Sequence, residues 1–545
     1  MKSNAFAAAV GLGLVACVAR ASAQTPASAT PPLDLVIEDA RVVDGTGNPW
    51  YRADVGLRGD TIDAVGVLKD VPAVRRVSAR GMVVAPGFID VSSDNLDRLT
   101  AAPRARNMIL QGVTTLIGGN DGMSPFPVAD FVQARTNAPA GVNVGTWIGA
   151  GNVRKAVMER RPARPTVEEL ERMRALVREA MSAGAFGLSS GLEPAGFHEP
   201  GHFADESELV ALAAEAARAG GIYITHLRSE QAGIVAAVRE AIRIGEQAQI
   251  PVQITHHKIT GQPNWGLARE TLRLVEEARG RGADVTVDQF PYTHVGVGIS
   301  QFFPPSLLQS GASNIPAALR DPAVRSAVRA HIAEYLKGCA GGEGLAAFRV
   351  RNCTADASLA GKRLTEIAAP GDGGTPSAEE VADVLIDIQP KSCVGDIVDA
   401  VSEDDLRRIL VAPYTMIASD SPPETDPPVM DAPKSYGTFA RILARYVRET
   451  GVLSLEDAVR KMTSFPASRL GITDRGIVRP GFKADLVVFE PDALRDTATI
   501  DKPLQYAVGV VHVFVNGVPV VDGGQVTGRT PGIVLRSAGA RQRQE

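Results

Sequence analysis

Between Val83 and Ala418 the chain repeats one unit: a short apolar run, then a stretch whose apolar residues recur every three or four positions. The runs are Val83–Ile89, Thr114–Ile117, Val144–Ile148, Phe186–Leu188, Ile222–Thr225, Val252–Thr255, Val285–Val287 and Met416–Ala418. Short continuous apolar runs suit strands buried on both faces, and the periodic stretches suit amphipathic helices. Thr166 and Glu169 form a capping box, after which Leu170, Met173, Leu176, Val177 and Ala180 line one face. Glu206–Arg218, Ala232–Gln247 and Glu270–Gly280 fill later gaps as helices. About eight strands alternating with helices predict an α/β fold, a TIM-type (β/α)8 barrel, with a doubly wound open sheet as the alternative. The barrel is preferred because polar residues stand at so many strand C-terminal ends, where that fold places its chemistry.

Different patterning flanks this body. Leu33–Ile37, Arg41–Val43, Ala53–Leu57 and Thr61–Val65 are short strand-like runs, separated by Asp44-Gly45, Gly47-Asn48-Pro49 and Gly59-Asp60. Ala53, Val55 and Leu57 alternate with Arg52, Asp54 and Arg58, as in a half-buried antiparallel strand. Near the other end Ala484–Phe489 and Val510–Val515 precede Asn516-Gly517, a strong hairpin turn, and Val518–Val521 follows. The simplest arrangement joins residues 33–82 and 475–530 into one small composite β-domain beside a body spanning 83–474. Residues 301–410 interrupt the body. Asp321–Leu336 and Glu403–Leu410 read there as helices, so the segment is expected to be a lid insertion before the last strand, over the barrel mouth.

Met1–Ala23 has the pattern of an export signal: Lys2, the apolar Phe6–Val18, and Ala21-Ser22-Ala23 as cleavage site. Leu14-Val15-Ala16-Cys17 offers a second reading, lipoprotein processing, in which a lipidated Cys17 would tether the protein to a membrane. Either places the mature chain outside the cytoplasm, periplasmic or secreted. Thr25–Pro32 reads as a flexible leader and Arg541–Glu545 as a polar tail. Cys339, Cys353 and Cys393 have no metal-site spacing; one disulfide among them, or three small buried hydrophobes, both stay open. A net charge of −5 gives no basic surface for nucleic acid.

Two strand-end motifs carry the chemistry. Thr225-His226-Leu227-Arg228 and Thr255-His256-His257-Lys258 each set an imidazole at the end of an apolar run, and Met416-Ile417-Ala418-Ser419-Asp420 ends a third run in a carboxylate. Two histidines and an aspartate on separate strands suit a hydrolytic metal site. His257 is expected to face away from His256, since neighbouring strand residues point to opposite faces. His198 and His202 lie in a Gly/Pro-containing loop and are expected to be exposed, with a substrate contact as the alternative. Asp420 could cap the following loop or shuttle protons; Arg228 and Lys258 could pair with buried acids or with a substrate carboxylate. At the matching place near the start, Gly87-Phe88-Ile89-Asp90 runs into Val91-Ser92-Ser93-Asp94, with no histidine.

Further motifs complete the picture: Ala85-Pro86-Gly87-Phe88-Ile89-Asp90, Gln111-Gly112-Val113-Thr114-Thr115, Gly184-Ala185-Phe186-Gly187-Leu188-Ser189-Ser190-Gly191-Leu192-Glu193, His226-Leu227-Arg228-Ser229-Glu230, Asp288 with Pro291-Tyr292, Gly437-Thr438-Phe439 and Pro480-Gly481-Phe482-Lys483-Ala484-Asp485-Leu486. Together and in order they resemble the N-acyl-D-amino-acid deacylase (D-aminoacylase) group of the amidohydrolase superfamily, over nearly the whole mature chain. The resemblance implies a zinc-dependent hydrolase that cleaves the amide bond of N-acyl-D-amino acids or D-residue dipeptides, small-molecule substrates, through a metal-bound hydroxide. It implies Glu193, His226 and His256 as metal ligands and Asp420 as general base. Arg228, Lys258 and Tyr292 would face the substrate's carboxylate and carbonyl. Where such relatives carry a His-x-His pair this chain has Ser92 and Asp94, and where some carry a cysteine it has Asp121. One firmly bound zinc ion is therefore expected, with any second ion weak and carboxylate-held. The alternatives are a degenerate barrel that only binds a ligand or partner, and a hydrolase of cyclic amides or lactones.

Overall fold

The computed structural model describes Met1 and residues 31–194, 198–308, 314–369, 374–428 and 431–541. The export segment, Cys17 and the end of the polar tail lie outside the described residues, Met1 apart. Among the described residues, no helix is long and apolar enough to cross a membrane.

Both ends of the chain enter one nine-stranded sheet. Leu33–Val42 pairs antiparallel with Tyr51–Arg58 and parallel with Ala73–Ser78 and Val83–Pro86. Val83–Pro86 in turn pairs antiparallel with Leu486–Phe489, and Val510–Val515 and Val518–Asp522 follow beyond it. Asn516 and Gly517 form the hairpin turn with φ 48° and 75°, the left-handed values such a turn requires. The runs expected as two strands, Leu33–Ile37 and Arg41–Val43, are a single strand bent where Asp39 takes φ 55°. Val83–Pro86, expected as the start of the first barrel strand, belongs to this terminal sheet; the chain leaves it at Gly87, where a Cβ would meet Thr114 at 2.2 Å.

The body is built from parallel strands: β1 (Phe88–Ser93), β2 (Val113–Gly118), β3 (Asn143–Thr146, resuming at Ile148–Gly149), β4 (Gly187–Gly191), β5 (Ile222–His226), β6 (Val252–Ile254), β7 (Val285–Gln289) and β8 (Thr415–Ile417). β1-β2-β3 form one sheet and β3-β4-β5-β6-β7-β8 the other, with β3 taking part in both. Between β8 and β1 the expected closed barrel is not completed by a ladder. Among the described residues, the backbone crosses that seam at the Ser93–Ser421 bridge and through the bonds Asp420 N–H to Ser92 O (2.9 Å) and Asp94 N–H to Ser421 O (3.2 Å), and the side chains of Asp90, Ser93 and Ser419 add further hydrogen bonds across it. β8 is short, and Pro422 and Pro423 beyond it have no N–H to donate.

Strand alternation decides what meets inside. Ile89, Val91, Ile117, Trp147, Ile222, Ile224, Met416 and Ala418 form one buried cluster. Each strand has period two, so the next residue of the Ile222–Ile224 row is His226 and the next of the Met416–Ala418 row is Asp420. The opposite faces pack on the helices. Val167–Ala183 has both capping-box bonds of Thr166 and Glu169, and Glu206–Arg218, Ile234–Ala248 and Ala268–Gly280 lie close to their sequence-based bounds.

The segment before β8 has its own core around Phe302, Ile332, Leu336, Phe348 and Leu385. Besides the helices Pro322–Cys339 and Glu403–Val411 it holds an antiparallel sheet, Val295–Gly298, Cys393–Ile397 and Phe348–Cys353, that the sequence reading missed. Cys353 and Cys393 form a disulfide across this sheet, and Cys339 is a buried free thiol.

Candidate metal centre

The functional side chains stand at strand C-terminal ends, and three of them sit on strained backbone. Asp121, after β2, has φ 53°; His256, after β6, φ 36°; Asp420, after β8, φ 49°. Left-handed φ is tolerable for aspartate and costly for histidine, on the order of 1–2 kcal/mol. Neighbours hold His256 in place. Asp288 Oδ1 accepts its backbone N–H at 2.7 Å and the Thr255 hydroxyl at 3.2 Å, while the Gln253 amide donates to the other carboxylate oxygen. The Asp121 loop presses onto β4, where a Cβ on Gly191 would lie 2.2 Å from Asp121 O.

The resulting cluster is dense in metal donors. Asp121 Oδ1 lies 3.3 Å from His256 Nε2, and Asp121 Oδ2 lies 3.6 Å from His226 Nδ1. His226 Nε2 is 3.3 Å from Glu193 Oε2, and His256 Nδ1 is 2.9 Å from Glu230 Oε1. The Lys258 ammonium lies 2.6 Å from Glu230 Oε1 and 2.9 Å from His256 Nδ1. Lys434 donates to the carboxylate of Asp420 and to its carbonyl. Three groups bring one donor atom per residue within 4.8 Å of each other: Asp121–His198–His226, His226–Glu230–His256 and Asp121–His256–Asp420.

The electrostatics match a site made for a cation. Burial opposes protonation of His226, but Glu230, Asp121 and Glu193 outweigh it and raise the imidazole to about 9. Burial and Lys258 oppose protonation of His256, yet Asp420, Asp121 and Glu230 hold it well above its usual value. Burial and the charges of Asp420 and Asp121 push Asp94 up to about 8. Burial also works against ionisation of Asp121, but the two imidazoles keep it well below the usual carboxylate range.

One cavity of about 350 Å³ opens onto these groups. Asp121, His226, His256, Lys258 and Asp420 form its floor, and Phe290, Val295, Val297, Tyr335, Val394 and Ile397 line its walls. That size suits a small ligand.

Comparison with known proteins agrees with this geometry. A D-aminoacylase of Alcaligenes xylosoxydans xylosoxydans is 35% identical over 536 residues, 94% of this chain and 99% of its own. The chain belongs to the N-acyl-D-amino-acid deacylase group of the amidohydrolases. The amidohydrolase family model matches residues 383–521. The N-acyl-D-glutamate deacylase of Bordetella bronchiseptica, solved with zinc and a phosphonate mimic of the tetrahedral intermediate, superposes with a TM-score of 0.77 at 31% identity, covering 93% of this chain and 100% of its own. A D-aminoacylase structure described for its binuclear metal centre gives 0.76 at 33% identity, with the same coverage.

Seen as a deacylase, the chain brings together Glu193, His226, His256, Lys258 and Asp420. It does not bring Arg228 or Tyr292. The Arg228 guanidinium is bound to Glu240 at 2.8 Å and to the carbonyls of His202 and Ala204, so its donors are taken outside the cavity. The Tyr292 hydroxyl donates to Asp496 at 3.3 Å, and Arg441 stacks on its ring. His198 and His202, expected to be exposed, are buried. His257 turns away as expected, to Thr271 Oγ1 at 2.9 Å. Sequence reasoning left Asp121 out of the main ligand set, as an oxygen donor at most, placed Glu230 and Asp288 in motifs without a role, and missed Lys434. Asp121 had a signal, its place in the Gly119–Gly122 turn; Lys434 had none, because a proline-rich loop separates it from Asp420.

Proposed function

We propose that this protein is a zinc-dependent hydrolase cleaving the amide bond of N-acyl-D-amino acids or dipeptides with a D-residue. The observation that carries the reading is the convergence of two buried imidazoles, Asp121 and Asp420 on the floor of one cavity. The residues fit an ion: His226 Nδ1 is buried without a hydrogen bond among the described residues, and imidazole with carboxylate is a common zinc donor set. Asp121, His226, His256 and Asp420 would hold it, with Glu193 and Glu230 at the edge. When bound, zinc supplies Lewis acidity, polarising the scissile carbonyl and acidifying the attacking water.

The protein's own groups do the rest. Asp420 accepts the proton of the attacking water on a carboxylate oxygen and delivers it to the departing nitrogen. Lys434 keeps that carboxylate in place. Lys258 and Lys434 are the ammonium groups facing the cavity that can meet the substrate's free carboxylate, which fixes the face of the amide presented to water. The apolar wall of Val295, Val297 and Ile397 takes an apolar portion of the substrate. The non-catalytic reading and the cyclic-amide or lactone reading have no observation in their favour.

The same proposal covers the larger organisation. We read the parallel strands as a barrel, the terminal sheet as a composite β-domain (33–82 with 475–530) and residues 301–410 as a lid, because that segment lines the cavity mouth with Gln301, Tyr335, Arg351, Val394 and Ile397. We also read the chain as exported by Met1–Ala23, which the Cys353–Cys393 disulfide supports.

The test is a panel of N-acetyl-D- and N-acetyl-L-amino acids, followed by release of free amine. The D-series should be hydrolysed, the L-series not, and chelation should abolish turnover until zinc is restored. Folded, zinc-replete protein inert toward every D-substrate would sink the proposal.

A further inference from the structure

We infer that Arg351 is a specificity-determining residue: from the 301–410 segment it receives an uncharged carbonyl group on a part of the substrate remote from the scissile amide. The inference rests on the hydrolase reading above and adds to it a class of substrate.

Arg351 belongs to the strand Phe348–Cys353 and lines the same cavity as the metal donors. Among the described residues that the 301–410 segment contributes to this lining, it is the charged one; Gln301, Tyr335, Val394 and Ile397 are the others. Its side chain is 13% exposed, unlike that of a surface arginine with a chance partner. It is also the extra residue of a β-bulge. Val350 pairs with Gly395 and Asn352 with Val394, which leaves Arg351 without a cross-strand residue. Bulges recur beside functional sites, where they aim a side chain. The next pair of the ladder is Cys353 with Cys393, and their disulfide pins the bulge.

Two neighbours fix the guanidinium and leave one end of it free. Asp396, 2% exposed, accepts from Nε with both carboxylate oxygens at 3.1 Å, and from Nη2 with one of them. Gly296 makes the room: a Cβ there would lie 2.5 Å from Nη2. The other terminal nitrogen, Nη1, makes no hydrogen bond among the described residues. A guanidinium already held by a partner loses little freedom when a ligand engages its remaining donors.

Charge decides what those donors take. Asp396 already matches Arg351, and Asp431, which lines the same cavity, is matched by Arg98 at 2.8 Å. A carboxylate brought here would be desolvated beside two others, with no unmatched cation of this wall to face. The apolar Val295, Val297, Val394 and Ile397 disfavour a further charge as well. An amide carbonyl accepts from Nη1 without that cost. The substrate's free carboxylate stays with Lys258 and Lys434 on the floor. Two parts of an N-acyl-D-amino acid lie away from the scissile bond and can carry such a carbonyl: the amino-acid side chain and the tail of the acyl group.

The test compares kcat/KM within two series, one for each part. The side-chain series is N-acetyl-D-glutamine, N-acetyl-D-methionine and N-acetyl-D-glutamate. The acyl series is N-succinamoyl-D-leucine, N-pentanoyl-D-leucine and N-succinyl-D-leucine. In wild type the amide-bearing member of one series should lead its apolar and acidic counterparts by at least about tenfold, the scale of a hydrogen bond to a charged donor. The series that shows this lead identifies the part of the substrate that reaches Arg351. Arg351→Lys keeps a cation beside Asp396 and loses the forked donors, so the lead should shrink to about threefold or less. A merely structural role would lower all members alike and leave the ratio in place. The wild-type comparison does not depend on any variant folding. Absence of the lead from both series, or a lead untouched by Arg351→Lys, overturns the inference and leaves the proposed hydrolase intact. No turnover of any D-substrate by folded, zinc-replete protein overturns both.

Discussion

Asp288 holds His256 by its main chain: its Oδ1 accepts the His256 N–H at 2.7 Å, where the backbone turns left-handed. The carboxylate thus positions the imidazole without touching the cavity. Asp288→Ala should weaken zinc binding about 10–100-fold, the usual loss when a ligand's supporting partner is removed. Global stability should fall by about 1–3 kcal/mol, from the unsatisfied buried N–H. Zinc titration and urea unfolding check the two separately. Unchanged zinc affinity would mean that His256 keeps its place without this support.

Arg228 and Lys434 give opposite expectations. Arg228 spends its donors on Glu240 and two carbonyls, so Arg228→Gln should lower stability by about 1–3 kcal/mol and leave KM within about twofold. Lys434 faces the cavity beside Asp420, so Lys434→Met should lower kcat/KM by at least about tenfold, or about 1.4 kcal/mol. Steady-state kinetics on a turned-over N-acyl-D-amino acid decides between them. A large rise in KM for Arg228→Gln would restore the sequence-based role of that residue.

Much of this was legible in the sequence because burial patterns are local. The strand runs, the capping box at Thr166 and the hairpin at Asn516-Gly517 follow from neighbours in the chain, and His226 and Asp420 inherit their direction from the apolar residues two and four positions earlier. What escaped depends on contacts between distant segments. Glu240 claims Arg228 from the next helix, and Asp496 claims Tyr292 from across the chain. The sheet that joins Val295–Gly298 to two strands of the 301–410 segment was missed because its strands are separated by helices and its first strand contains two glycines.

Asp90 provides a pH signature. It is fully buried; burial pushes its carboxyl up to about 7, against hydrogen bonds from the Ser419 hydroxyl and from the Ser419 and Ser92 N–H groups. In the unfolded chain the value is about 3.9. The stability contributed by the protonated form is therefore present below about pH 4 and lost as pH rises through about 7. Asp90→Asn abolishes this loss, so its stability relative to wild type should increase by about 2–3 kcal/mol between pH 5 and pH 8. Urea unfolding at the two pH values checks it, and a difference independent of pH would contradict it.

Metal content is the most direct measure of whether His226 and His256 serve a common centre. Purified wild type should carry zinc that survives dialysis against buffer, and the double variant His226→Ala, His256→Ala should emerge folded, metal-free and inactive. Wild-type protein that hydrolyses N-acyl-D-amino acids without metal, or a double variant that retains the full zinc content, would contradict the metal centre described for these residues.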